Sequence, residues 1–153
     1  MLNHTSMKRI TKELKRDFNH IDYSLTIYHP NKRYMEVKVP ILDNTMVFRI
    51  SPDYPFKAPN LFVNEVNYIV RLKDIYMSNK VLIKKIDGYS TCPCCNTILC
   101  DWSPGNTLSQ VLEEYLIREN KYKCIKTILS FNVVKTHLPF DDLVYNKILK
   151  YIY

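Results

Sequence analysis

Between Met7 and Phe18 the apolar residues fall at Met7, Ile10, Leu14 and Phe18, while Lys8, Arg9, Lys12, Lys15 and Arg16 fill positions between them. Spacing of three and four is the period of one helix face, so an amphipathic helix is predicted here with Ser6 as its N-cap. The interleaved "KRITKELKRD" reads as that helix's solvated face. Downstream the period changes. In "YMEVKVPI", Met35, Val37 and Val39 alternate with Glu36 and Lys38, as a half-buried antiparallel strand requires. "YSLTIYH" and "TMVFRI" are also strand-like, and "LDN" before the latter predicts a hairpin turn.

"SPDYPFKAPNLFV" follows. Pro52, Pro55 and Pro59 do not fit inside a paired central strand, so the stretch reads as a rigid extended connector into a short strand at "NLFV". From Asn64 to Ser90 the pattern weakens: "NYIVRLKDIYM" suits a short helix and "KVLIKKI" a strand, with Asp87-Gly88 turning the chain. The next helix is strongly marked. Thr107 and Gln110 form a capping box, and Leu108, Val111, Leu112, Tyr115 and Leu116 trace an apolar stripe. Two more helical patterns, "KCIKTILSF" and "DDLVYNKILKYI", are separated at Leu138-Pro139, and the last is read as the helix that closes the sheet. This order predicts an α+β sandwich of sheet against helices.

The 153 residues fit one compact domain, 1–153. With only two glycines, Gly88 and Gly105, the chain lacks a Gly-rich phosphate loop. It also lacks an apolar run near the ~18 residues of a membrane span and the apolar core of a signal peptide. The expectation is a protein of the cytoplasm or nucleus, in a reducing compartment and off the membrane. The net charge of +7 comes from scattered basic residues without a nucleic-acid module, which points to protein partners over nucleic acid.

Four of the five cysteines, Cys92, Cys94, Cys95 and Cys100, stand just before the single tryptophan, Trp102. Three readings are open. They supply a nucleophile, they are buried structural thiols, or they hold zinc as a four-thiolate set. Four ligands within nine residues, stiffened by Pro93, strain a tetrahedral site, and Cys92, Cys95 and Cys100 holding metal with Cys94 free is a hybrid. His29, His137 and Cys124 lack ligand spacing. Zinc is the one cofactor this leaves open. The adjacent pair Cys94-Cys95 also suits one thiol resolving oxidation of the other.

Three pieces in order resemble the ubiquitin-conjugating enzyme family: the basic amino-terminal helix, "FRISPDYPFKAPNL", and "WSPGNTLSQVLEEYL". The resemblance covers about residues 7 to 116, with 117–153 as a carboxyl-terminal helical extension. The Tyr-Pro element is shared with the related non-catalytic RWD domain, whereas its combination with the cysteine, Trp-Ser-Pro and a capped helix is more specific. Shortened homologues encoded by large DNA viruses carry a similar Cys-x-Cys-Cys cluster, which implies a host-cell cytoplasmic setting. The resemblance implies a UBC-like fold with a meander sheet and a cysteine loop. It also implies an acyltransferase that accepts ubiquitin, or a ubiquitin-like modifier, as a cysteine thioester and passes it to an amine or a ligase.

In the family the active cysteine precedes the tryptophan by eight positions, which is Cys94 here, with Cys95 as the alternate if the loop differs by one residue. An ordinary thiol, pKa ~8.5, must be accessible to serve in this way. Lys8, Arg9 and Lys12 would meet the activating enzyme; Phe56, Pro59, Trp102, Ser103 and Pro104 would meet a ubiquitin ligase. The family's His-Pro-Asn motif is missing from its expected place. "HPN" at His29–Asn31 precedes "YPFKAP" and reads as coincidence, leaving Asn67 and Asn79 as substitute oxyanion donors. The alternative is an inactive interaction module of the UBC/RWD kind with a structural or zinc-binding cysteine cluster.

Overall fold

The computed structural model describes residues 4–26, 34–87 and 93–137, together with Lys147. His29–Asn31, Gly88, Cys92 and the tail beyond His137, Lys147 excepted, lie outside the described residues. The architecture is α+β: an amino-terminal helix, a five-stranded antiparallel sheet and helices after it.

Helix α1 spans His4–Asp17. Its predicted stripe is buried at Ile10 and Leu14 and continues to Phe18 just beyond it. Two expectations for this helix are corrected. Ser6 is not an N-cap: it lies inside the first turn, buried, with its hydroxyl 2.6 Å from both the Pro52 and Tyr54 carbonyls. Glu13 is not on a solvated face but is 2% exposed.

The sheet is a meander in chain order, of β1 (Ser24–Thr26), β2 (Met35–Ile41), β3 (Asn44–Ile50), β4 (Asn60–Val63) and β5 (Val66–Asn67). Register explains its core. Val37 faces Phe48, Val39 faces Met46, and Phe48 faces Leu61, so the buried side chains of three strands meet on one face. On the other face Arg49 donates to Glu36 at 2.9 Å and its guanidinium lies 4.2 Å from the Phe62 ring centre. That cover buries Glu36, which simple alternation had put in solvent.

The proline segment between β3 and β4 is folded into turns rather than extended. The Tyr54 N–H donates to the Ser51 carbonyl and the Phe56 N–H to that of Asp53 at 2.8 Å, and the Tyr54–Pro55 peptide is cis. Helix α2, Tyr68–Asp87, absorbs both "NYIVRLKDIYM" and "KVLIKKI", so the second is helix and not strand. Asn67 starts it, its Oδ1 accepting from the Ile69 and Val70 N–H groups at 3.0 and 3.3 Å. Buried Tyr68, Leu72, Tyr76 and Ile83 keep one helical stripe across it despite the non-helical backbone at Asn79.

Helix α2 packs against a 3-10 turn, Pro93–Asn96, which carries the cysteine pair. Helix α3 then runs unbroken through Leu108–His137, so "KCIKTILSF" continues the capped helix instead of forming another. The capping box forms as predicted: the Thr107 N–H donates to Gln110 Oε1 at 2.9 Å, and the Gln110 N–H approaches Thr107 Oγ1 at 3.4 Å.

The chain divides into two compact units, Met1–Leu112 and Glu113–Tyr153. The first contains α1, the sheet, α2, the cysteine turn and the start of α3. In the second, Arg118 pairs with Glu114 at 2.8 Å, and Tyr115, Tyr122, Ile125 and Ile128 are buried. Among the described residues, no helix is long and apolar enough to cross a membrane.

Candidate functional site

The site is built where the cysteine turn meets the loop into α3. Thr97 organises it. Its hydroxyl donates to the Cys94 carbonyl at 3.0 Å, and its Oγ1 and carbonyl both accept the Cys100 N–H. The consequence is opposite fates for neighbouring thiols. Cys94 is 3% exposed, Cys95 is exposed, and their sulfurs are 3.8 Å apart. Cys95 opens onto a pocket of about 420 Å³ whose wall includes Thr97, Cys100, Asp101 and Asn106.

Trp102 fixes the far side. Its Nε1–H donates to the Pro55 carbonyl at 2.7 Å, and its ring lies 5.8 Å from that of Tyr54 at a 43° tilt. The bond joins the tryptophan turn to the proline turn. It leaves Phe56 80% exposed, with Ser103 and Pro104 exposed on the other turn. Of the residues the family resemblance offers as a ligase surface, Pro59 alone is buried and presents nothing to a partner.

Beneath these turns lies a carboxylate the sequence did not single out. Both Glu13 oxygens lie within 2.9 Å of the Tyr54 hydroxyl, and Oε2 accepts the Leu108 N–H at 3.1 Å. Arg9 donates to Oε1. An anion here meets the positive end of α3, and donors compensate its burial. Burial first, and then the Glu13 charge, hold the Tyr54 hydroxyl protonated far above the ordinary tyrosine range. The hydrogen bond to Glu13 raises Arg9 further. Nearby, the Arg16 hydrogen bond keeps Asp17 below the usual carboxylate range while Asp17 accepts from Ser109 Oγ at 3.2 Å. Of the three basic candidates on α1, Arg9 is therefore tied inward, whereas Lys8 and Lys12 are exposed.

The candidate oxyanion donors belong to other duties. Asn67 caps α2 through its Oδ1, and Asn79 Nδ2 donates to the Ile75 carbonyl one turn back at 3.0 Å. A better-placed amide is Asn106. Its Oδ1 accepts from the Ser103 N–H at 2.9 Å and from the Ser103 hydroxyl, closing the Ser-Pro-Gly-Asn turn beside the Cys95 pocket. The turn composition signals a bend, but only the fold places Asn106 on the pocket that Cys95 also lines. Among the described residues, no group of three or more His, Cys, Asp or Glu side chains gathers as a metal site, and Cys92 lies outside them.

Compared with protein-family models, curated proteins and solved structures, the chain matches none.

Proposed function

We propose that this protein is a ubiquitin-conjugating-enzyme-like acyl carrier whose nucleophile is Cys95. The observation that carries the reading is the contrast at the cysteine turn: Cys95 is exposed beside a polar pocket, and Cys94 is 3% exposed. A nucleophile that receives a bulky protein acyl group has to be reachable, and a loop differing by one residue moves that role from Cys94 to Cys95. The Cys95 sulfur attacks the carboxyl-terminal thioester presented by an activating enzyme. A new C–S bond forms, and the donor cysteine leaves as its thiolate.

The order of α1, meander sheet, cysteine turn and capped α3 supports the same reading, as does the joint between Trp102 and Pro55. On this account exposed Lys8 and Lys12 meet the activating enzyme, and Phe56, Ser103 and Pro104 meet a ligase. The test is incubation with activating enzyme, ATP and ubiquitin. The expected product is a one-ubiquitin adduct that a thiol reductant removes; absence of any adduct contradicts the proposal.

A second reading is a docking module without transfer chemistry. The 80% exposure of Phe56 favours it, because that surface needs no cysteine to work. Ligase capture by a protein that never charges would establish this second role.

A further inference from the structure

We infer that Cys94 and Cys95 form a peroxide-sensitive dithiol, in which a hydroperoxide oxidises Cys95 and buried Cys94 resolves it to a reversible disulfide within the pair. The inference goes beyond acyl transfer and does not depend on it. It gives a role to Cys94, which the carrier reading leaves unused.

A thiol that senses oxidants has to be reachable. To be restored by reductant, it also needs a second thiol close enough to intercept its sulfenic acid before further oxidation. The cysteine turn supplies both. Cys95 is exposed and lines the polar pocket of about 420 Å³, which has room for a hydroperoxide. Cys94 is buried, and so shielded from dissolved oxidant, yet its sulfur lies 3.8 Å from that of Cys95. The two sulfurs are in van der Waals contact. Cys94 is also held in place, with its carbonyl accepting from the Thr97 hydroxyl at 3.0 Å in a turn that packs against α2. The resolving thiol therefore stands beside its target before oxidation begins, an advantage no dissolved thiol has.

The chemistry balances in two steps. The Cys95 thiolate attacks one peroxide oxygen, and the O–O bond breaks. The other oxygen leaves as hydroxide or alkoxide and takes up the proton that Cys95 released. The product is the Cys95 sulfenic acid. The Cys94 sulfur then attacks the Cys95 sulfur, the S–O bond breaks, and the departing hydroxide leaves as water with the Cys94 proton. Two thiols have lost two electrons to the hydroperoxide. Neighbouring Cα atoms are about 3.8 Å apart, below the ~4.4–6.8 Å usual across a disulfide, so the intervening peptide shifts as the bond closes. A bond strained in this way reopens to an attacking thiol, as a switch requires. While closed, it withholds the Cys95 sulfur from any acyl donor.

The reduced full chain, freed of reductant, is treated with hydrogen peroxide, denatured and alkylated with iodoacetamide. Fragmentation mass spectrometry then assigns each cysteine. The expected result is loss of two of the five thiols, a Cys94–Cys95 bond, and recovery of both thiols with dithiothreitol. Cys100→Ser should keep the bond. Cys94→Ser should lose it and label several-fold more strongly than the wild type with dimedone, a sulfenic-acid reagent. The wild-type assignment decides the matter even where Cys94→Ser fails to fold. A bond from Cys95 to Cys92 or Cys100 overturns the inference, as does Cys95 sulfinic acid beside a free Cys94 thiol. Retention of all five thiols overturns it as well. Failure of the wild type to charge with ubiquitin removes the carrier reading and leaves this inference standing.

Discussion

Cys94 and Cys95 are consecutive, with sulfurs 3.8 Å apart, yet one is buried and the other exposed. The Thr97 hydroxyl bonds both the Cys94 carbonyl and the Cys100 N–H and so holds the turn in which the first thiol is covered and the second is not. Brief alkylation of the native protein with iodoacetamide should modify Cys95 and Cys100 first. Peptide mass spectrometry should find Cys94 unmodified until denaturant is added. Equal labelling of Cys94 and Cys95 would contradict the described turn.

The Glu13 carboxylate connects α1, the proline turn and the start of α3. Glu13→Ala leaves the Tyr54 hydroxyl and the Leu108 N–H buried without their acceptor and should lower stability by about 3 kcal/mol. Tyr54→Phe removes one bond to a charged group and should cost about 1.5–3 kcal/mol. Urea midpoints measure both. A midpoint unchanged by Glu13→Ala would mean that the carboxylate does not hold these elements together.

The same hydroxyl predicts an alkaline effect. Its folded pKa is raised above the unfolded value of 10.0, so its contribution is complete below that pH. Above it the unfolded chain releases a proton that the folded protein retains, which favours unfolding. The stability gap between wild type and Tyr54→Phe should therefore shrink by about 1.4 kcal/mol between pH 9 and pH 11. Urea unfolding of the two proteins at pH 9 and pH 11 checks the sign, and a gap that widens at pH 11 would refute it.

On the proposed function, Phe56 should separate binding from folding. At 80% exposure its ring has little core to lose, so Phe56→Ala should change stability by no more than about 0.5 kcal/mol. Ligase capture should nevertheless fall. A large loss of melting temperature would instead assign Phe56 to packing.

Much of the frame was legible because it depends on local period. The stripe at Ile10, Leu14 and Phe18, the inward positions Met35, Val37 and Val39, and the Thr107–Gln110 box all appear as read, whereas Glu36 between them is buried. What escaped depended on contacts distant along the chain. Glu13 reads as one more charge on a basic helix until Tyr54 and Leu108 close over it, 41 and 95 residues away. "KVLIKKI" has strand-like composition, but Ile83 continues the stripe of Tyr68, Leu72 and Tyr76, and burial of that stripe overrides local preference. At the site, tryptophan spacing selected Cys94, whereas exposure favours Cys95. Spacing does not encode which of two adjacent thiols faces outward. Asn106 was passed over because its place on the pocket wall depends on the turn that bonds it to Ser103.

The most direct test of the central claim is ubiquitin charging of Cys94→Ser and Cys95→Ser side by side with the wild type. Cys94→Ser should still form the reductant-sensitive adduct, while Cys95→Ser should form none or a reduction-resistant ester. Loss of the adduct in Cys94→Ser with its retention in Cys95→Ser would contradict the account.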